Sequence, residues 1–443
     1  MMLNLNRNNN RSVSKYRVTP RLVSAGVPTT VTVTPLGASL AFDDKQEYLV
    51  RFVPKEIYHD TFIDRPAQFD VQRVYPQNGV LSVTYTFYEE QEWVLSVLTP
   101  EEEEKKAKPR EFHVYSLFDD LYERNPYRGD LHIHSTGSDG SEEPFIVAAN
   151  YRKHGFDFMA MTDHSNWHTS DSIQKTYGDL PIGIKLFHGE EVHLGTIIHI
   201  VAFHTDHSIT DYYRAHTDEI RAQLQEEAKT LQTPWGVDPY EYAYRKWICQ
   251  EIRAAGGMCI VPHPYWIHKP HIFNMNSRML EYVFTTGACD AFELTGGQTV
   301  EENNYQLAFY HDMRAKGIDI PICGSSDSHG TDKSVYFGIS KTMLFAKDKE
   351  YESIREAMLG HYSVAVEQEY GEQIRIHGHY RMVKYARFLL DYYFPGHDEL
   401  CIEEGILMRE YALGSEAAGQ ALRAISGRVD AYMNETLRGE KTK

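Results

Sequence analysis

Hydrophobic and polar positions follow three successive patterns along this chain. From about residue 17 to 118, β-branched and aromatic residues recur at every second position in "TTVTVTP", "EYLVRFVP", "GVLSVTYTFY", "EWVLSVL" and "FHVYSL", with turn-like clusters between them. Alternation of that kind predicts an antiparallel sheet or small sandwich. The run "EEEEKKAKPR" (residues 101–110) reads as a solvated loop within it. From Gly129 to about Ser363, short apolar strands alternate with amphipathic helical stretches, the pattern of an α/β fold. From about Gln373 the chain reads as helical, with Leu422, Ile425, Val429 and Tyr432 at helical spacing behind a candidate N-cap at Ser415. The expected division is a flexible N-terminus (1–16), a β-rich domain (17–125), an α/β barrel (126–365) and a helical C-terminal region (366–443).

The middle segment repeats one unit, in which an apolar strand ends and a histidine or carboxylate follows. "LHIH" leads to Asp139, "FDFMAMTDH" ends in Asp163 and His164, and "IGIKLFHGEEVH" ends in Glu190, Glu191 and His193. "TIIHIVAFH" carries His199 and His204, "GMCIVPHPYW" delivers His263, "CDAFELTGG" delivers Glu293, and "IPICGSSDSHG" delivers Asp327 and His329. These are seven strands, and in a β/α barrel the loops following the strands converge on one face. Residues i and i+2 of a strand share a side, so His132 and His134 can address one ion.

Composition sharpens this picture. Of 22 histidines, 16 fall between His132 and His329, so they are concentrated where the strand ends are. The five cysteines (Cys249, Cys259, Cys289, Cys323, Cys401) form no CxxC and read as reduced, buried thiols of a cytoplasmic protein. The first twenty residues have no apolar run to make a signal peptide, and no stretch of about 18 apolar residues predicts a membrane span. A formal charge of −18 argues against binding duplex nucleic acid, which requires neutralised phosphates.

Taken singly, each candidate has an ordinary reading. An HxH is more often a surface or hydrogen-bonded pair, His164 or His263 a satisfied strand-end histidine, Asp327 and His329 part of a capped turn. Glu190 reads as solvated, and Glu191 alone would be read the same way. Together on one face they demand another account, because crowded imidazoles and carboxylates without a cation carry a large desolvation and repulsion cost.

The motifs "DLHIHSTGSDG", "TDHSN", "GEEVH", "HIVAF", "PHPYW" and "GSSDSHG", over roughly residues 129–345, closely resemble those of the PHP family, named for polymerase and histidinol phosphatase domains. The resemblance implies a distorted seven-stranded (β/α)7 barrel with a trinuclear metal site at its C-terminal face. By position, His132, His134, Glu191 and Asp327 would hold one ion. His199 and His263 would hold a second, with Glu191 bridging, and Asp139, His164 and His329 a third. Of these, Glu191 competes with Glu190 beside it, and His199 with His193 and His204. Mixed imidazole and carboxylate ligation suits zinc, manganese or iron. The implied activity is hydrolysis of a phosphomonoester or phosphodiester by a metal-bridging hydroxide, since metal binding lowers the pKa of water from about 15.7 to about 7. Three divalent ions against three carboxylates would leave the pocket cationic, able to take a small phosphorylated substrate, a nucleotide or a short oligonucleotide.

Arg278 and Lys269 are candidate phosphate partners outside the metal shell, with His193, His268 and Glu293 as acid or orienting groups. "PYW" and the segment after it could form a wall suited to a ringed leaving group. Two other classes stay open. One is an amidohydrolase-type enzyme, although no lysine stands at a strand end to bridge metals. The other is a non-catalytic PHP-like scaffold, against which the complete ligand set argues.

Overall fold

Val31 and Val33 are buried while Thr30 and Thr32 between them face outward, and Leu81 and Val83 alternate in the same way with Ser82 and Thr84. The computed structural model describes residues 15–56, 69–194, 198–268, 271–332, 336–369 and 371–440. It divides the chain into two compact units: residues 1–124, 384–397 and 428–443 form one, and residues 125–383 and 398–427 the other.

In the first unit, Tyr16–Thr19, Pro28–Pro35 and Leu81–Thr86 make an antiparallel three-stranded sheet. A five-stranded sheet runs Leu22–Ser24, Arg110–Leu117, Gln91–Leu98, Tyr48–Pro54, Asp70–Val74, antiparallel except for its first pair. Val31, Val33, Leu81 and Val83 of the first sheet share one core with Val50, Phe52, Trp93, Leu95 and Val114 of the second. The acidic run is not all loop. Pro100–Glu104 is a short helix, because Thr99 and Glu102 form a capping box that satisfies its free amides.

The second unit has the α/β grammar, in two mixed sheets. One runs Lys185–Phe187, Phe158–Ala160, Asn125–Asp130, Ser340–Ala346, Ser363–Glu367, Arg375–Gly378. The other runs Gly189–His193, His199–Phe203, Met258–Val261, Ala291–Thr295, Ile322–Gly324. Isolated bridges, Ile133 with Ser328 and His164 with Glu191, tie one sheet to the other. The resemblance implies a distorted seven-stranded (β/α)7 barrel; the strands are seen as these two mixed sheets. The segment between His193 and His199 is too short for a helical crossover, so those strands pair antiparallel as a hairpin. His199–Phe203 is also antiparallel to Met258–Val261, and Ser340–Ala346 runs against Asn125–Asp130.

The main core packs helices such as Pro239–Ala254 and Val300–Ala315 on the five-stranded sheet, with Ile248, Ile252, Val261, Phe292 and Tyr310 buried in it. Four helices dominate the C-terminal residues, after a strand at Arg375–Gly378 that the helical reading missed. Ser415 caps Glu416–Ile425 by accepting from the Ala418 amide. The helical stepping from Leu422 to Tyr432 is broken at Gly427, whose φ of 76° leaves the right-handed region. Glu416–Ile425 belongs to the second unit and Arg428–Arg438 to the first.

Candidate metal centre

The site is built on carboxylates and hydroxyls that fasten strand ends to one another. Asp130, fully buried at the end of its strand, accepts from the His132 amide (3.2 Å), the Ser326 amide (3.1 Å) and the Tyr151 hydroxyl (3.0 Å). Burial pushes its carboxyl up to about 6. The His134 amide donates to the Ser328 carbonyl at 2.8 Å, and the Ile133 amide to Thr162 Oγ1 at 2.9 Å. Asp163 accepts from the Ser135 amide, Ser135 Oγ and Ser138 Oγ, all at 2.7 Å, which folds "HSTGSDG" back on itself. Gly140 is required there, since a Cβ would lie 2.6 Å from Ser135 Cα. Around the site, His263 (φ 25°), Asp327 (φ 50°) and Ser165 (φ 51°) have left-handed backbone. Such conformations cost on the order of 1–3 kcal/mol each and persist where surrounding structure imposes them.

Glu191 lies at the middle, without solvent exposure. Its Oε1 accepts from His199 Nδ1 (2.7 Å) and His263 Nε2 (3.1 Å). Its Oε2 faces His164 Nδ1 (2.8 Å), His132 Nε2 (3.2 Å) and His134 Nε2 (3.5 Å). Asp327 Oδ1 is 3.0 Å from His134 Nε2 and 3.3 Å from His132 Nε2. On the open side, Asp139 reaches His329 Nε2 (3.3 Å), His134 Nδ1 and His164 Nε2 (3.9 Å each). All nine residues singled out in the sequence, His132, His134, Asp139, His164, Glu191, His199, His263, Asp327 and His329, thus meet in one place. Their donor atoms group as His132, His134 and Asp327; as His132, Glu191 and His263; and as His134, Asp139, His164 and His329.

The electrostatics are those of a site built around charge. Burial would raise the Glu191 carboxyl, but His199 and His132 outweigh it and hold it well below the usual range. Burial draws His199 down to about 4. His329 is raised to about 9, because Asp139 and Asp327 overcome its burial. Asp139 is held well below the usual carboxylate range, first by its hydrogen bond with His329.

The fit to metal ions rests on unmet valences. His132 Nε2, His134 Nε2, His164 Nδ1 and Glu191 Oε2 are buried, close together and without a hydrogen-bond partner among the described residues. Leaving such groups unpaired is costly, and divalent cations satisfy several at once. A mixed imidazole and carboxylate donor set suits zinc, manganese or iron.

The remaining candidates separate. His193 groups with His164 and His199 within the cluster, its ring 4.1 Å from that of His199. His204 is directed away and stacks on Tyr351 at 4.0 Å, so of the three neighbouring histidines His199 holds the central position. Glu293 accepts from His132 Nδ1 at 2.9 Å, an orienting place behind the site. Arg278 is exposed on the first turn of helix Ser277–Thr285, with its side chain beside Gly236. Lys269, and the side chain of His268, lie outside the described residues. Glu190 is not solvated: it is fully buried and caps helix Ile209–Ala215, accepting from the Ile209 amide (2.5 Å) and Thr210 amide (3.2 Å). Strand alternation explains the difference, since Glu190 and Glu191 point to opposite sides of one sheet. Sequence reasoning gave no role to Asp130, Tyr151 or Gln298, whose Nε2 donates to Asp327 Oδ2 at 2.9 Å. Gln298 in "TGGQT" was open to discovery, because it follows the strand end carrying Glu293.

Fold and site together define an α/β protein with a buried histidine–carboxylate centre suited to divalent metals. No family model matches the chain. Among curated proteins it is 39% identical over 64 residues to the DNA polymerase/3'-5' exonuclease PolX of Bacillus subtilis, a stretch of 14% of this chain that spans 11% of that relative's length. Among solved structures, a two-domain protein of Bacteroides vulgatus containing a predicted PHP-like metal-dependent phosphoesterase is similar, at 18% identity and a TM-score of 0.43, over 61% of this chain and 71% of that one. A Bifidobacterium adolescentis protein described as a metal-dependent phosphoesterase is 18% identical over 52% of this chain and 94% of its own, with a TM-score of 0.36. An amidohydrolase of Chromobacterium violaceum, solved with bound sulfate, is 18% identical over 47% and 89%, with a TM-score of 0.32. Among the described residues, no helix is long and apolar enough to cross a membrane.

Proposed function

We propose that the protein is a metal-dependent phosphoesterase of the PHP type, working at a three-ion centre in which seven strand ends form a distorted ring. The observation that carries this reading is the single carboxylate of Glu191, buried and faced by five imidazoles. Hydrogen bonding accounts for two of the five. His132, His134, Glu191 and Asp327 would hold one ion, His199, His263 and Glu191 a second, and Asp139, His164 and His329 a third. When bound, zinc, manganese or iron would activate water near neutral pH and neutralise charge on a phosphate. The protein's own residues set the conditions for that chemistry. Glu293 holds His132 in one tautomer through Nδ1, leaving Nε2 facing inward. Gln298 orients Asp327, and Asp163 fixes the loop that carries Asp139. The exposed edge of the site is the Asp139 side, where Asp139 meets His329 and His164 and a phosphate oxygen can approach. In the reaction a water oxygen bonds to phosphorus, the bond to the alcohol oxygen breaks, and the alcohol leaves with a proton.

Metal analysis of the purified protein, combined with hydrolysis assays on monoester, diester and amide substrates, tests the reading. Close to three transition-metal ions per chain and chelator-sensitive ester hydrolysis are expected. Full activity in a metal-stripped sample, or hydrolysis confined to amides, overturns it.

A further inference from the structure

Three thiols converge in the core of the second unit. Cys249 stands on helix Pro239–Ala254, Cys259 on strand Met258–Val261, and Cys289 just before strand Ala291–Thr295. All three are buried, and their sulfur atoms lie within 4.8 Å of one another. A single buried cysteine is ordinary core packing. Packing does not require thiols from three separate elements to face each other. The cluster is distinct from the histidine–carboxylate centre. Cys259 precedes His263, and Cys289 precedes Glu293, so the sulfurs lie toward the opposite ends of two strands that feed that centre.

The thiol protons can leave without stranding an acceptor. Cys259 Sγ donates to Asp290 Oδ2 at 3.0 Å, but that oxygen also accepts from the Cys259 amide at 2.9 Å. Cys289 Sγ donates to the Cys259 carbonyl at 3.2 Å, which also accepts from the Asp290 amide at 3.1 Å. Charge around the sulfurs is already balanced. Arg253 donates to Asp290 Oδ1 at 2.8 and 3.0 Å. Arg245, buried and close enough to interact electrostatically with Cys249 and Cys289, is paired with Glu241 at 2.8 Å. Three thiolates around a monovalent or divalent cation would leave net negative charge in this core, which is costly. Three sulfurs bonded to one trivalent centre carry none.

We propose that Cys249, Cys259 and Cys289 form a binding site for a trivalent, three-coordinate thiophile, the class represented by arsenite. As(OH)3 exchanges its three hydroxyls for the three sulfurs. Three As–O and three S–H bonds break, three As–S bonds form, three water molecules leave, and no electrons are transferred. Bonds of about 2.3 Å, the usual length to a thiolate, set the sulfurs roughly 3.5–4 Å apart, so the widest pair closes by about 1 Å. The site goes beyond the phosphoesterase reading and does not depend on it.

Arsenite alone, added to the fully reduced full-length protein under anaerobic conditions, is the probe. One arsenic per chain should bind, read by native mass measurement as a gain of one arsenic and a loss of three hydrogens. Arsenic-edge X-ray absorption should show three sulfur neighbours at about 2.3 Å and no oxygen. Cys249→Ala, Cys259→Ala and Cys289→Ala should each lose the three-sulfur signature, whereas Cys323→Ala and Cys401→Ala should keep it. The wild-type spectrum decides the matter even where a variant fails to fold. No bound arsenic, or arsenic with fewer than three sulfur neighbours, overturns the site. Three-sulfur binding that survives any of the first three substitutions overturns it as well.

Discussion

Glu293 Oε2 lies 2.9 Å from His132 Nδ1, and both side chains are buried. A neutral imidazole that donates through Nδ1 presents a lone pair at Nε2, the atom that faces Glu191 and Asp327. Carboxylates placed in this way behind a ligand raise its basicity and fix its ring. Glu293→Gln keeps the shape and removes the charge. It should weaken metal retention by roughly 10–100-fold, measured by chelator competition, with little change in the unfolding transition. Unchanged affinity would show that His132 is not a ligand or needs no orienting partner.

The neighbours Glu190 and Glu191 should respond oppositely to substitution. Glu190→Ala removes the carboxylate that accepts from the Ile209 and Thr210 amides and leaves buried donors unpaired. A loss of about 1–3 kcal/mol in unfolding free energy is expected, with ligand geometry at the metal centre retained. Glu191→Gln should instead reduce bound metal sharply. Denaturant titration and metal analysis on both variants decide this, and a large metal loss in the Glu190 variant alone would reverse the assignment.

Asp327 and His329 are two residues apart, yet their partners differ. Asp327 faces His132 and His134, whereas His329 faces Asp139. His329→Ala should lower metal content by about one ion and reduce monoester hydrolysis more than diester hydrolysis. Asp327→Ala should impair both activities, because it removes negative charge from beside the buried His132 and His134. Identical metal loss from the two variants would show that the division between ions is wrong.

Glu92 gives a pH prediction away from the site. Its carboxylate pairs with Lys55 Nζ at 2.5 Å and His113 Nδ1 at 2.8 Å. Burial would raise its pKa, but the hydrogen bonds with His113 and Lys55 outweigh burial and hold it below the ordinary 4.5. A carboxyl depressed on folding contributes stability above its unfolded pKa, and that contribution disappears as pH falls below 4.5 through the folded value. The stability gap between the parent protein and Glu92→Gln should therefore be constant near neutrality and close on acidification below 4.5. A gap independent of pH would remove the pair from the stability of the β-rich unit.

The sequence made the clustered histidines and carboxylates readable because most stand beside an apolar run, and apolar runs of that length become strands whose ends project their neighbours. Period-two spacing was enough to pair His132 with His134. It could not distinguish Glu190 from Glu191, since a strand covered on both faces conceals which side meets the helix and which meets the histidines. The direction of each strand was equally hidden. The short connection between His193 and His199 forces a hairpin, but the reversal of Ser340–Ala346 against Asn125–Asp130 depends on pairing distant in sequence. Asp130, Tyr151 and Ser326 lie far apart along the chain, and their hydrogen-bonded knot becomes visible only in three dimensions.

The break at Gly427 has a consequence for biosynthesis. The chain leaves the β-rich unit at residue 124, returns to it over 384–397, departs again and returns from 428. Translation produces the sheets of that unit before the second unit, yet the helix Arg428–Arg438 that completes it only after residues 398–427 of the other. Of the two units the one begun first is thus finished last, and no single cut in the chain releases either unit whole.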